Sequence, residues 1–225
     1  MISKLPRWVW WGAWVLAFIA GFVNVVGFLG FEHQAVTHLT GTTSMLAASV
    51  ADLNGAGTLH FLASMGAFLG GCILSGFLIQ DTALQLGHRY GFALFCESVL
   101  LTVAVPLFYH DSAWGMYAAS CACGLQNAMA TTYSGTVVRT THVSGMFTDL
   151  GIFLGHTLRG LPVDGRRIRL CGLIITGFLV GGIAGACGYR ALGYSALYLP
   201  SAIAFAAAGS YWAYKFRKQP RPSGI

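Results

Sequence analysis

Apolar runs of roughly 20 residues recur along this chain, each long enough to cross a bilayer core of about 30 Å at 1.5 Å per residue. Hydrophobic residues make up 56% of the 225 and charged residues only 9%, where a soluble domain carries about 25% charged. A soluble helical bundle would show polar stripes between its apolar positions, and these runs have almost none. The composition therefore predicts an all-α integral membrane protein forming a single membrane domain over 1–225.

The first run, 8–30, follows Lys4 and Arg7 in the manner of a secretory signal. It exceeds an h-region of about 7–15 residues and ends without a small-x-small cleavage site, so it reads as a retained span. The formal charge of +6 is explained by basic residues at loops and the C-terminal tail, which set topology; no nucleic-acid partner is implied. Cys72, Cys96, Cys121, Cys123, Cys171 and Cys187 all fall inside apolar runs. Cys121 and Cys123 point to opposite sides of a helix and lack metal-ligand spacing. The cysteines read as small packing residues, and no metal or cofactor is expected.

Order within the chain comes from a duplication. Gly21-Phe-Val-Asn24 anticipates Gly124-Leu-Gln-Asn127, Thr37-His-Leu-Thr-Gly41 anticipates Thr141-His-Val-Ser-Gly145, and Gly66-Ala-Phe-Leu-Gly-Gly71 anticipates Gly177-Phe-Leu-Val-Gly-Gly182. The offsets are 103, 104 and 111 residues, close enough in value and order to place one repeat at about 8–109 and a second at about 113–216. Full-length helices are expected at about 8–30, 59–80, 91–109, 113–133, 168–188 and 193–215. Two shorter ones, at about 41–53 and 143–158, follow extended stretches at 31–40 and 134–142. Thr40, Thr42 and Ser144 are capping residue types around each glycine.

The shorter of these, at 41–53, covers only about 20 Å at helical rise, too little to span alone. If both turn back, six spans place both termini in the cytoplasm, with Arg190 the one basic residue of 13 left outside. Repeats of three spans each must then be inverted. If both cross, there are eight spans in parallel repeats, and Arg89, Arg139 and Arg190 fall outside. The positive-inside rule favours six.

Non-helical backbone survives inside a bilayer only when buried in protein or lining a water-filled cavity. Inverted repeats with broken helices near the midplane are the architecture of many secondary transporters. Two half-helix starts entering from opposite faces would turn free N–H groups and positive dipole ends toward one site. Such a site favours a carboxylate, another anion or a strongly polar group. The residues placed there are Asn24, His38, Thr40, Gly41, Thr42, Thr43, Gln126, Asn127, His142, Ser144 and Gly145.

Each admits a plainer role. His38 and His142 bind solute or carry a proton, or each donates one hydrogen bond that locks its broken segment. Asn24, Gln126 and Asn127 bind solute or join helices, as membrane amides do. Proton coupling is assigned to His142, Asp149 and Glu97. Asp149 shares a helical face with His156; an acid in a membrane segment is costly and either functional or paired, here with His142, His156 or Arg139. Glu97 is the one acid within its run, 92–108. The glycine steps Gly66/Gly70 and Gly177/Gly181/Gly185 read as packing seams. Nothing assembles a nucleophile and base, so no enzymatic activity is expected.

With the repeat laid out, the chain resembles the YoaK-like family of bacterial inner-membrane proteins, a domain of unknown function. The resemblance covers nearly the whole length and rests on Gly21-Phe-Val-Asn24 with Gly27-Phe28, on Thr40-Gly41-Thr42-Thr43, and on Gly124-Leu-Gln-Asn-Ala128 with Thr148 to Gly151. It implies a six-span protein of the bacterial cytoplasmic membrane. Members commonly carry Asp where this chain has Asn24, and Thr-Gly-Asn-Thr where it has Thr40-Gly41-Thr42-Thr43.

These readings lead to a small secondary transporter or channel-like carrier, in lipid, for a small polar or anionic solute bound between the repeats. At 225 residues a homodimer packed on glycine seams is expected. The alternative is a non-transporting scaffold or regulatory subunit.

Overall fold

The computed structural model describes residues 7–31, 34–79, 89–134 and 139–218. These form α1 (Arg7–Gly30), α2 (Leu39–Ala51), α3 (Gly55–Leu78), α4 (Arg89–Tyr109), α5 (Ala113–Ser134), α6 (Val143–Leu158), α7 (Gly165–Leu192), a 3-10 turn (Gly193–Leu197) and α8 (Tyr198–Lys218). No strand occurs among the described residues. Four helical stretches, 8–30, 55–78, 89–109 and 165–214, are long and apolar enough to cross a membrane, the last holding both α7 and α8. α5 is not among them, because Gln126, Asn127, Thr131 and Thr132 lower its hydropathy.

The directions of the helices follow from which residues touch. A Cβ placed on Gly177, Gly181 or Gly185 would meet the carbonyl oxygen of Trp14, Phe18 or Phe22 in turn, so α7 lies parallel to α1 at backbone contact. α3 and α5 are likewise parallel: His60 meets Tyr117 near their starts, while Gly71 lies on Cys121 and Gly124 on Phe68 further along. α1 and α5 are antiparallel. Trp8 packs at a tilt against Tyr133 with ring centroids 5.7 Å apart, Leu16 packs beside Leu125 and Met129, and Val23 joins the cluster of Ala119 and Ala122. α4 runs against α5, with Tyr90 on Tyr133 and Phe108 on Gly115. It also runs against α8, where Gly91 abuts Trp212 and Ser98 bonds Ser201 at 3.1 Å. α1, α4 and α7 thus point one way; α3, α5 and α8 point the other.

A consequence is that each short helix belongs to an excursion. α3 begins at the end of the bundle where α1 stops, since His60 Nε2 lies 2.7 Å from Gln34 Oε1. α7 begins where α5 stops, at the opposite end. α2 therefore belongs to the connection between α1 and α3 at one end, and α6 to the connection between α5 and α7 at the other.

Three expectations are corrected. The first short helix starts at Leu39 rather than near 41, while the second starts at Val143 as expected, so Thr40, Gly41, Thr42 and Ser144 lie within the first turns rather than at caps. The N-cap positions are His38 and His142, neither of which makes a side-chain capping bond. Gly66 and Gly70 form no seam within the chain: nothing lies within 4 Å of a Cβ on either. Their place is taken by Gly71, which meets α5 as Gly181 meets α1, so the two halves match here at an offset of 110 rather than 111. Glycine is needed at Gly21, Gly71, Gly124 and Gly181 because any side chain would enter a facing carbonyl.

Candidate functional site

α2 and α6 are held loosely at the side of the bundle. α2 buries only Thr42 and Ser49, and α6 only Met146. Their hydroxyls are spent locally: Thr42, Thr43, Ser44 and Thr148 each donate to the carbonyl four residues earlier, at 2.8–3.2 Å. Such back-bonding satisfies hydroxyls without water.

At both starts the same local device recurs. His38 sits at φ −95°, ψ 67° and His142 at φ −96°, ψ 60°, extended enough to break the chain before the helix. Each imidazole folds back over the glycine three residues on, where a Cβ on Gly41 or Gly145 would strike the ring. The first backbone N–H bonded to the cap residue is that of Thr42, to His38, and that of Met146, to His142. The N–H groups of 39–41 and 143–145 are the orphan donors of a helix start.

These two starts face one cavity of about 300 Å³. Its wall is built almost wholly of matched positions. Asn24 is matched by Asn127, Thr37 by Thr141, His38 by His142, Leu39 by Val143, Thr40 by Ser144 and Phe68 by Phe178. Arg139 has no counterpart; Ala35 occupies its matching place. Asn24 comes from α1, Phe68 from α3, Asn127 from α5 and Phe178 from α7, so the central four helices and both excursions meet here.

Of the residues singled out from sequence, Asn24, His38, Thr40, Asn127, His142 and Ser144 line this space. Gly41 and Gly145 seat the histidine rings one layer behind. Thr42 is buried, and Thr43 is exposed toward Met65. Gln126 is 1% exposed and holds the second break in place by accepting from Thr140 Oγ1 at 3.3 Å. Asn24 does that work in the first half, its Oδ1 accepting from both the N–H and the Oγ1 of Thr37 at 2.9 and 2.8 Å.

Of the three groups assigned to proton coupling, only His142 reaches the cavity. Glu97 is buried on α4 with Oε2 unpartnered, away from the lining. Asp149 is exposed on α6 and outside it; among the described residues it forms no pair with His142, His156 or Arg139. Sequence reasoning missed Thr37, Thr141, Phe68, Phe178 and Arg139 as site residues. The first four stand inside the repeated landmarks, which is the signal that could have found them. Arg139 reads from the sequence as a topology marker and a possible partner of Asp149.

A larger cavity of about 540 Å³ opens between α1, α4, α5 and α8, with Trp8, Leu16, Tyr90, Met129 and Tyr211 in its wall. Among the described residues its wall has no charged side chain, so the smaller, polar cavity is the one suited to a hydrophilic ligand.

No curated protein and no solved structure matches the chain. One family model, described as a protein of unknown function (DUF1275), matches residues 12–210, and the chain belongs to that family.

Proposed function

We propose that this is a small secondary transporter or channel-like carrier of the bacterial cytoplasmic membrane, with a polar or anionic solute held between two half-helix starts. The observation that carries the reading is the 300 Å³ cavity walled by His38–Thr40 and His142–Ser144 together. Orphan N–H groups and helix dipoles at such starts favour negative or strongly polar ligands.

In this reading the chain makes six spans, α1, α3, α4, α5, α7 and α8, with both termini cytoplasmic and α2 and α6 as re-entrant helices. The repeats, about 8–109 and 113–216, are inverted. The antiparallel run of α1 against α5 supports this arrangement, because parallel repeats in eight spans require those two helices to point the same way. The connections that hold α2 and α6, at opposite ends of the bundle, support it too. A homodimer belongs to the reading, with the open Gly66/Gly70 strip of α3 as its seam. No catalytic chemistry is assigned.

Uptake into proteoliposomes, or current on a solid-supported membrane, across a panel of small acids and neutral polar solutes tests the reading. Flux of at least one of them that is lost in a His38→Gln/His142→Gln double variant is the expected result. Folded protein that moves none overturns it. The rival is a non-transporting scaffold, favoured by the Asn24–Thr37 and Gln126–Thr140 bonds that tie helix to break. It predicts that the double variant changes thermal stability alone.

A further inference from the structure

The cavity wall has a two-fold pattern with one exception, and the exception is charged. Six pairs of matched residues present the same chemistry from both sides, whereas Arg139 has only Ala35 in the corresponding place. Among the described residues, no Asp or Glu belongs to the lining. Among the described residues nothing forms an ion pair or hydrogen bond with the Arg139 guanidinium. Arg139 is exposed in the wall, so its guanidinium is open to a ligand. Its planar fork of donors matches a carboxylate in bidentate fashion.

Size and wall chemistry narrow the occupant further. A space of about 300 Å³ holds the liquid volume of about ten waters, hence a solute of about ten non-hydrogen atoms or fewer. Phe68 and Phe178 supply apolar surface from opposite sides, with Leu39 and Val143 beside the helix starts. An ion that is charged all round gains nothing from such walls. A second carboxylate, reaching toward Thr37 and His38, would find no second guanidinium.

We propose that the cavity takes a small monocarboxylate, its carboxyl on Arg139 and its apolar body between Phe68 and Phe178. The assignment rests on the reading of this cavity as a solute site and deepens it. The carboxylate end lies toward the second half of the chain, so the solute is bound in one orientation despite the paired wall.

Isothermal titration of the protein in lipid nanodiscs, against propionate, lactate, succinate, propionamide and lactamide, provides the test, with uptake of the same solutes into proteoliposomes alongside. The monoacids should bind at least tenfold tighter than their amides and than succinate. Arg139→Gln should bring acid down to amide, and Arg139→Lys should keep part of the difference. The thermal midpoint of ligand-free Arg139→Gln should match wild type, since no partner is lost. Amides equalling acids, succinate binding best, or an unchanged acid preference in Arg139→Gln overturns the assignment. Uptake of amides without acids overturns it but leaves transport standing. Acid binding that needs Arg139, with no uptake of any solute, leaves the assignment standing and overturns transport.

Discussion

The two breaks in this chain are built alike and braced differently. In the first, one amide does everything: Asn24 Oδ1 takes both the N–H and the hydroxyl of Thr37 and also stands in the cavity wall. In the second, the work is split between neighbours. Gln126, turned inward, accepts from Thr140, and Asn127 is left in the wall with Oδ1 unpartnered. The first half is thus spent on holding shape. Among the described residues, the second keeps polar groups without a partner, Asn127 Oδ1 and Arg139, at the cavity. The two breaks thus differ in how their amides are used, and the proposed solute site draws on the less braced one.

The largest expected effects test the shared scaffold. Gly181→Val on α7 and Gly124→Val on α5 each drive a side chain into a backbone carbonyl, of Phe18 and Phe68 respectively. Backbone cannot step aside as a side chain can, so both should lose at least the upper end of the about 1–3 kcal/mol typical of overpacking. Folded yield in detergent and thermal midpoint read this out. A tolerant Gly124→Val beside an intolerant Gly181→Val would break the equivalence of the two seams.

Next come the braces. Asn24→Leu removes two bonds and strands a buried Thr37 N–H, for a loss of about 2–4 kcal/mol, while Gln126→Leu removes one longer bond and should cost about 1 kcal/mol. Thermal unfolding of the pair decides it, and equal losses would erase the proposed division of labour. Asn24→Asp should keep both Thr37 bonds, because each uses an oxygen acceptor that Asp retains, and should fall between wild type and Asn24→Leu in stability, because an acid in a membrane segment is costly.

The histidines test the proposed solute site. His38 and His142 make no capping bond and are exposed, so changing either to Gln should move stability by no more than about 0.5 kcal/mol, the usual range for surface sites. Solute affinity should fall more for His142→Gln than for His38→Gln, because His142 lies within three residues of Arg139 on the unbraced side. The reverse order, from titrations on both variants, would place the ligand head in the first half.

How much of this could be read beforehand depends on whether a feature is periodic or relational. Apolar length gave the helices to within a few residues, and the matched landmarks gave both His-Gly breaks and the central wall residues Asn24 and Asn127. What escaped depends on partners distant in sequence. Whether Gln126 or Asn127 faces the cavity is a matter of 100° of helical rotation, set by what α5 packs against. The one-residue slip between Gly70 and Gly71 is of the same kind, since both glycines fit a small-residue step and only the facing helix selects one. Arg139 is visible as a charge, but its isolation is a property of the assembled wall. The segment 31–40 is expected from sequence to be extended; its residues 32 and 33 lie outside the described set, and the rest turns at 36–37 before α2.

The smallest effect on the monomer is expected where that slip leaves glycine idle. Gly66 and Gly70 on α3 have nothing within 4 Å of the place a Cβ would take, and Leu62, Leu69 and Ile73 around them are exposed. Gly66→Val should therefore leave the thermal midpoint of monomer in detergent within about 0.5 kcal/mol of wild type, in sharp contrast to Gly124→Val on the helix it faces away from. Small residues on an outward membrane face let a second helix approach closely, so the same substitution should weaken self-association. Single-molecule photobleaching in bilayers at graded protein density measures both species. A monomer destabilised by Gly66→Val would mean that the seam lies where the sequence alone puts it; an unchanged monomer with unchanged association would leave α3 facing lipid.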